Sequence, residues 1–183
     1  MALLHTPAID GDFFAPDFSL KNIDDQIISL DEANGENGTV IAFICNHCPY
    51  VKAIIKRFVL TAKQLQDQGI SVIANMPNDT EKQPDDSFEN MKQFARANNF
   101  TFPYLIDETQ AVARAYGAIC TPDIFGFDKD GKLQYRGRLD SAGPDIADES
   151  TETELLNAMQ EIAKSGTTTA KQHSSMGCSI KWR

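Results

Sequence analysis

The sequence predicts an α/β layer fold, with a central mixed β-sheet flanked by helices. Three observations carry this. Apolar, β-branched runs alternate with helical patterns, as parallel strands with helical crossovers require. One run, Thr39-Val40-Ile41-Ala42-Phe43-Ile44, is apolar almost throughout, which suits a strand covered on both faces. Further on, two short apolar segments flank Asp128-Lys129-Asp130-Gly131, a hairpin turn that adds antiparallel strands to the sheet. At 183 residues and 42% hydrophobic side chains, the chain has enough apolar material for one domain with one sizeable core.

The elements follow in order. Residues 16–20 and 26–30 alternate and predict an N-terminal β-hairpin. Ser29, with Glu32 three residues on, predicts a capped short helix. Asn34-Gly35-Glu36-Asn37-Gly38 is a loop. After the strand at 39–44, residues 50–68 place Val51, Ile54, Ile55, Phe58, Val59, Ala62 and Leu65 on one helical face, and Gly69 stops the helix. A strand is expected at 70–74, a helix at 85–98, a strand at 102–106 and a helix at 108–116. The hairpin strands are 124–127 and 132–136, and the last helix covers 151–164. Residues 1–165 thus form the domain. Residues 166–183 are a tail that starts polar and regains apolar character from Ser175, so it is expected to pack back on the domain.

Charge narrows the function. Lys+Arg 17 against Asp+Glu 26 leaves −9, with a pI near 4.7. Neutralising phosphate needs a basic surface, so nucleic acid is not an expected partner, nor is an anionic membrane. No apolar run approaches the ~20 residues of a membrane span. The N-terminus has neither a basic n-region nor a long apolar segment, so no signal peptide and a cytoplasmic address are expected. There is no glycine-rich phosphate loop, and no cofactor is expected. The acidic pairs Asp24-Asp25, Asp85-Asp86 and Asp148-Glu149 read as solvated faces. His5 and His173 carry no identifiable role.

The chemistry lies in the cysteines. Cys45-Asn46-His47-Cys48-Pro49 sits where the buried strand hands over to the long helix. Unpaired N–H groups and the macrodipole at a helix start favour an anion, and a CxxC thiol placed there has a lowered pKa. Proline is tolerated only at the start of a helix, so the helix must begin close to Cys48. That puts Cys45 at the strand end or cap and Cys48 in the first turn. A protonated His47 would favour the thiolate, and a stabilised thiolate makes the disulfide more oxidising. Cys120 precedes Thr121-Pro122 ahead of the hairpin, and Cys178 lies in the tail. Both are possible accessory thiols.

These motifs, with Ala115-Tyr116-Gly117-Ala118-Ile119-Cys120-Thr121-Pro122-Asp123 and Ser175-Met176-Gly177-Cys178-Ser179-Ile180-Lys181-Trp182, resemble the thioredoxin-like superfamily. More narrowly, the chain resembles the peroxiredoxin-like redoxins of the alkyl hydroperoxide reductase/thiol-specific antioxidant group. The resemblance implies a thioredoxin fold with an inserted αβ unit around 85–106. It implies that Cys45 is the attacking thiol and Cys48 the resolving one. It further implies that Pro122 is cis and that Thr121 forms a substrate-facing edge. The function so implied is thiol–disulfide oxidoreductase, acting on a disulfide-containing protein or small-thiol substrate with a cellular thiol reductant as partner.

Two alternatives stay open. Cys48-Pro49 also resembles the peroxidatic Cys-Pro of thiol peroxidases. The Thr or Ser expected three residues earlier is Cys45, however, the upstream proline is Ile41, and no peroxide-orienting arginine is matched. The other alternative is a soft-metal (copper) binding protein using Cys45, His47, Cys48 and Cys120. No metal is expected on the first reading.

Overall fold

The computed structural model describes residues 3–8 and 12–183. A seven-stranded sheet has the order β3-β2-β6-β5-β4-β8-β9. Inside it, between β5 and β8, lies β4 (Thr39–Phe43), whose five residues are all buried. Strand β5 (Ser71–Met76) runs parallel to it with Val40 opposite Val72, and β6 (Tyr104–Ile106) continues parallel on β5. On the other side β8 (Asp123–Phe127) is antiparallel to β4, and β9 (Leu133–Gly137) closes the hairpin. The N-terminal hairpin, β2 (Ser19–Asn22) and β3 (Ile27–Ser29), joins antiparallel to β6. The sheet is therefore mixed, as the sequence implies.

Alternation along β4 feeds two apolar layers. Val40, Ala42 and Ile44 join Val51, Ile54, Ile55 and Phe58 of α2 (Pro49–Gln66) and Leu155 and Met159 further along the chain. Ile41 and Phe43 point the other way, onto Tyr116, Phe125, Phe127 and Ile180. Each of these large side chains contributes roughly 1.5–3 kcal/mol by leaving water. The remaining helices are α1 (Leu30–Ala33), α3 (Phe88–Ala97), α4 (Ala111–Ala115) and α5 (Glu154–Ser165). Helix α1 carries the expected capping box: Ser29 Oγ accepts from the Glu32 N–H, and the Glu32 carboxylate accepts from the Ser29 N–H. Among the described residues, no helix is long and apolar enough to cross a membrane.

Three departures matter for the site. The helix expected at 85–98 is broken in two. Pro84–Asp86 is a turn of 3₁₀ helix, and Ser87, with ψ 155°, separates it from α3. The helix expected at 108–116 shortens to α4, because Gln110 at its cap is left-handed, with φ +62°. A second sheet also forms, in the order β1-β10-β7. In it, β10 (Met176–Ser179) lies antiparallel between β1 (Leu3–His5) and β7 (Cys120–Thr121). The tail is thus a strand built into the molecule.

Candidate active site

Beyond β4 the chain keeps the sheet direction for one residue, with the Ile44 N–H donating to the Asn75 carbonyl. It then turns through 45–48 into α2. Cys48 is the N-cap residue and Pro49 the first helical residue, so Cys48 stands one position earlier than the sequence implies. The peptide before Pro122 is cis. This brings Thr121 against both thiols of the motif: Cys45 Sγ lies 3.1 Å from Thr121 Oγ1, and Cys48 Sγ lies 3.2 Å from the Thr121 carbonyl oxygen. Cys45 and Cys48 have no solvent exposure, and no disulfide is formed.

The two sulfurs differ in ionisation. Hydrogen bonding from Cys45 is the largest influence on Cys48 and draws its pKa down to about 5. Burial opposes this, while the Cys178 thiol and the N–H groups of Val51 and Cys178 support it. Val51 is in the first turn of α2, so the helix start assists as expected. Cys45 is pushed well above the usual thiol value, first by burial, then by its hydrogen bond to Cys48 and by the Asp86 charge. Of the two, Cys48 is the sulfur whose ionisation is favoured and Cys45 the one whose ionisation is disfavoured.

Asp86 is the residue that the sequence misplaces. It is fully buried, not solvated, whereas its neighbour Asp85 is exposed. Its Oδ1 accepts from the Asn46 and His47 N–H groups at 2.8 and 3.1 Å. Its Oδ2 accepts from Asn78 Nδ2 at 2.8 Å and meets His47 Nδ1 at 2.6 Å. Burial opposes its ionisation, but hydrogen bonds from His47 and Asn78 outweigh this and hold its carboxyl below the usual range. His47 is thus tied to a carboxylate, and its Nε2 is buried with no hydrogen-bond partner. Asn46 is oriented in turn by the Tyr104 hydroxyl, which donates to Asn46 Oδ1 at 2.9 Å.

Thr121 contacts both thiols, but the edge it is expected to offer to substrate is occupied. Strand β10 pairs there, with Cys178 opposite Thr121 and Ser179 opposite Cys120. Cys178 is brought into the site, its sulfur 2.9 Å from Cys48 Sγ. Its own pKa is raised to about 12, by burial first and then by the bond to Cys48. Cys120 makes its sulfur contact with the Pro122 carbonyl at 3.7 Å, and burial raises its pKa. Of the donors named for a metal, Cys45 and His47 come together with Asp86, their ligand atoms within 4.8 Å of one another, and neither Cys48 nor Cys120 is part of that group. A cleft of about 310 Å³ is lined by Tyr50, Ile54, Pro122, Ser175 and Met176, and no cysteine lines it.

Residues 13–136 match the AhpC/TSA family, which is more than half of the chain. The chain belongs to the AhpC/TSA family. A crystal structure of an uncharacterized conserved protein from Geobacillus kaustophilus is 40% identical, covers 100% of this chain and 97% of its own, and superposes with a TM-score of 0.93. The thiol-disulfide oxidoreductase ResA of Geobacillus thermodenitrificans is 28% identical over 66% of this chain. The AhpC/TSA chain spans only 64% of that relative's length. The thioredoxin domain of a thiol-disulfide oxidoreductase from Bacteroides vulgatus, 16% identical with a TM-score of 0.63 over 85% of this chain and 99% of its own, has the same fold. The fold is the thioredoxin fold.

Proposed function

We propose that this AhpC/TSA-family chain is a thiol–disulfide oxidoreductase in which Cys48 attacks and Cys45 resolves. The observation that carries this is the pair of thiols at the α2 start, in contact with Thr121, with the negative charge drawn to Cys48. The Cys48 thiolate attacks one sulfur of a substrate disulfide, and the other sulfur leaves as a thiolate. Cys45 then gives up its proton and attacks Cys48 Sγ, which forms the Cys45–Cys48 disulfide and releases the reduced substrate. This reverses the roles expected from the resemblance. The charges explain why: the helix start serves the N-cap sulfur, and the Asp86 carboxylate disfavours a second anion on Cys45. A stabilised Cys48 thiolate favours the dithiol form, which makes the disulfide a better oxidant. The reading fits the function in the name of the ResA relative.

Peroxidase chemistry is the lesser reading. Arg136 is committed to Asp123 at 2.8 and 3.2 Å, Arg57 to Asp140, and Arg138 to Glu154. Among the described residues no arginine bonds to either sulfur of the pair, so peroxide would lack that electrostatic partner.

The test is reduction of glutathione disulfide by the pre-reduced protein, together with thiolate absorbance at 240 nm against pH. Wild type should consume the disulfide while losing two thiols, and its absorbance should rise with a midpoint near 5. Cys48→Ser should lose both. Exchange or a low-pH transition that survives in Cys48→Ser would overturn the assignment.

A further inference from the structure

We propose that Cys178 is a third redox-active thiol of this site, closing a Cys48–Cys178 disulfide in exchange with the Cys45–Cys48 bond. The inference rests on the thiol–disulfide reading above and adds to it a second resolving sulfur, carried by the C-terminal strand.

Distance is the first ground. Cys48 Sγ and Cys178 Sγ are 2.9 Å apart although 130 positions separate them in the chain. A disulfide bond is about 2.05 Å long, so closing one requires an approach of only about 0.9 Å.

The second ground is that β10 is seated, not draped. It is paired on both sides, Cys178 lying opposite Leu3 and Thr121. Before the cysteine, the Ser175 N–H donates to Thr6 Oγ1 at 2.9 Å, and Ser175 Oγ donates to the Pro122 carbonyl at 2.9 Å. After it, the Ile180 N–H donates to the Ile119 carbonyl and the Lys181 N–H to Asn78 Oδ1. Gly177 lets the strand press in. A Cβ there would overlap the Thr121 carbonyl and crowd the Pro122 nitrogen. The strand thus holds a thiol on the Thr121 edge, where the resemblance would have placed a substrate strand.

The step balances without an outside oxidant. Starting from the Cys45–Cys48 disulfide, Cys178 loses its proton and its thiolate attacks Cys48 Sγ. The Cys48–Cys178 bond forms and the Cys45–Cys48 bond breaks. The electron pair leaves on Cys45, which takes up the proton. One disulfide replaces another. Burial and the Asp86 charge both keep the released Cys45 a protonated thiol. A substrate sulfur joined to Cys48 likewise faces two resolving thiols, one in the CxxC motif and one in β10.

The experiment loads Cys48 with thionitrobenzoate from Ellman's disulfide in full-length Cys45→Ser, Cys178→Ser and Cys45→Ser/Cys178→Ser, each checked by circular dichroism for native fold. Cys45→Ser should release the second thionitrobenzoate at least ~100-fold faster than the double variant, because its resolving thiol is held in place. Peptide mapping should then show Cys48 joined to Cys178. Retention of the label in Cys45→Ser for as long as in the double variant overturns the proposal, provided that Cys178→Ser still forms Cys45–Cys48. If Cys178→Ser forms no disulfide either, the oxidoreductase reading itself fails. Should Cys45→Ser not fold, wild type equilibrated over graded ratios of reduced to oxidised dithiothreitol decides. A Cys48–Cys178 linkage is expected there, and its absence at every ratio overturns the proposal.

Discussion

Asp86 shows how one buried charge sets the division of labour between two thiols. Its carboxylate gathers the N–H groups of Asn46 and His47 together with the His47 ring and Asn78, and so fixes the loop between the cysteines. The same charge raises the cost of an anion on Cys45. Replacement by Asn keeps the shape and removes the charge. The Cys45 pKa should fall toward its ordinary value in Asp86→Asn while staying raised by burial. Mass-mapped alkylation of Cys45 against pH reads this directly, and an unmoved profile would sink the electrostatic argument. Nothing in the sequence singles out this acid from Asp85. The distinction arises when the Pro84–Asp86 turn rotates one carboxylate inward and leaves the other in solvent. The cysteine motif, by contrast, was legible, because a buried strand followed by Cys-x-x-Cys-Pro and a helical pattern states its own geometry.

At the scale of elements, legibility followed length. Strand β4 and helix α2 were visible from their apolar periodicity, since burial on both faces or along one stripe leaves a long imprint. Strands β1, β7 and β10 have three, two and four residues, too few to show any period. They exist because they pair with one another, which is tertiary information. Gly177 is where that pairing is tightest. Gly177→Ala forces a methyl group toward the Thr121 carbonyl, and overpacking of this kind costs about 1–3 kcal/mol. For a chain of this size the melting temperature should fall by about 2–4 °C per kcal/mol. Amide exchange should quicken in β1, β7 and β10 while β4 and β5 stay protected. Uniform quickening across both sheets, or none, would show that β10 is not a separately seated element.

Over the whole molecule, the ionisation of one sulfur links stability to pH and redox state. The Cys48 pKa is about 5 in the folded reduced protein, against 9.0 for an ordinary thiol. Between these values the unfolded chain binds a proton that the folded chain does not, so stability rises with pH. The contribution is fully present above the unfolded value and is lost as pH falls toward 5. The other thiols of the cluster act oppositely and elsewhere: Cys45 and Cys178 have raised values, so their contribution is lost only as pH climbs above the ordinary thiol range. From about pH 5.5 to about pH 8.5, Cys48 is therefore the thiol of the cluster whose linkage changes stability. The melting temperature of reduced wild type should gain steadily on that of Cys48→Ser over this interval. The oxidised protein, in which Cys48 no longer titrates, should follow the slope of the variant. Thermal unfolding of the three forms at several pH values measures this, and parallel curves for reduced wild type and Cys48→Ser would refute it. The same linkage ties the fold to the chemistry: whatever stabilises the folded dithiol over the folded disulfide makes the disulfide easier to reduce, and hence a stronger oxidant of its substrate.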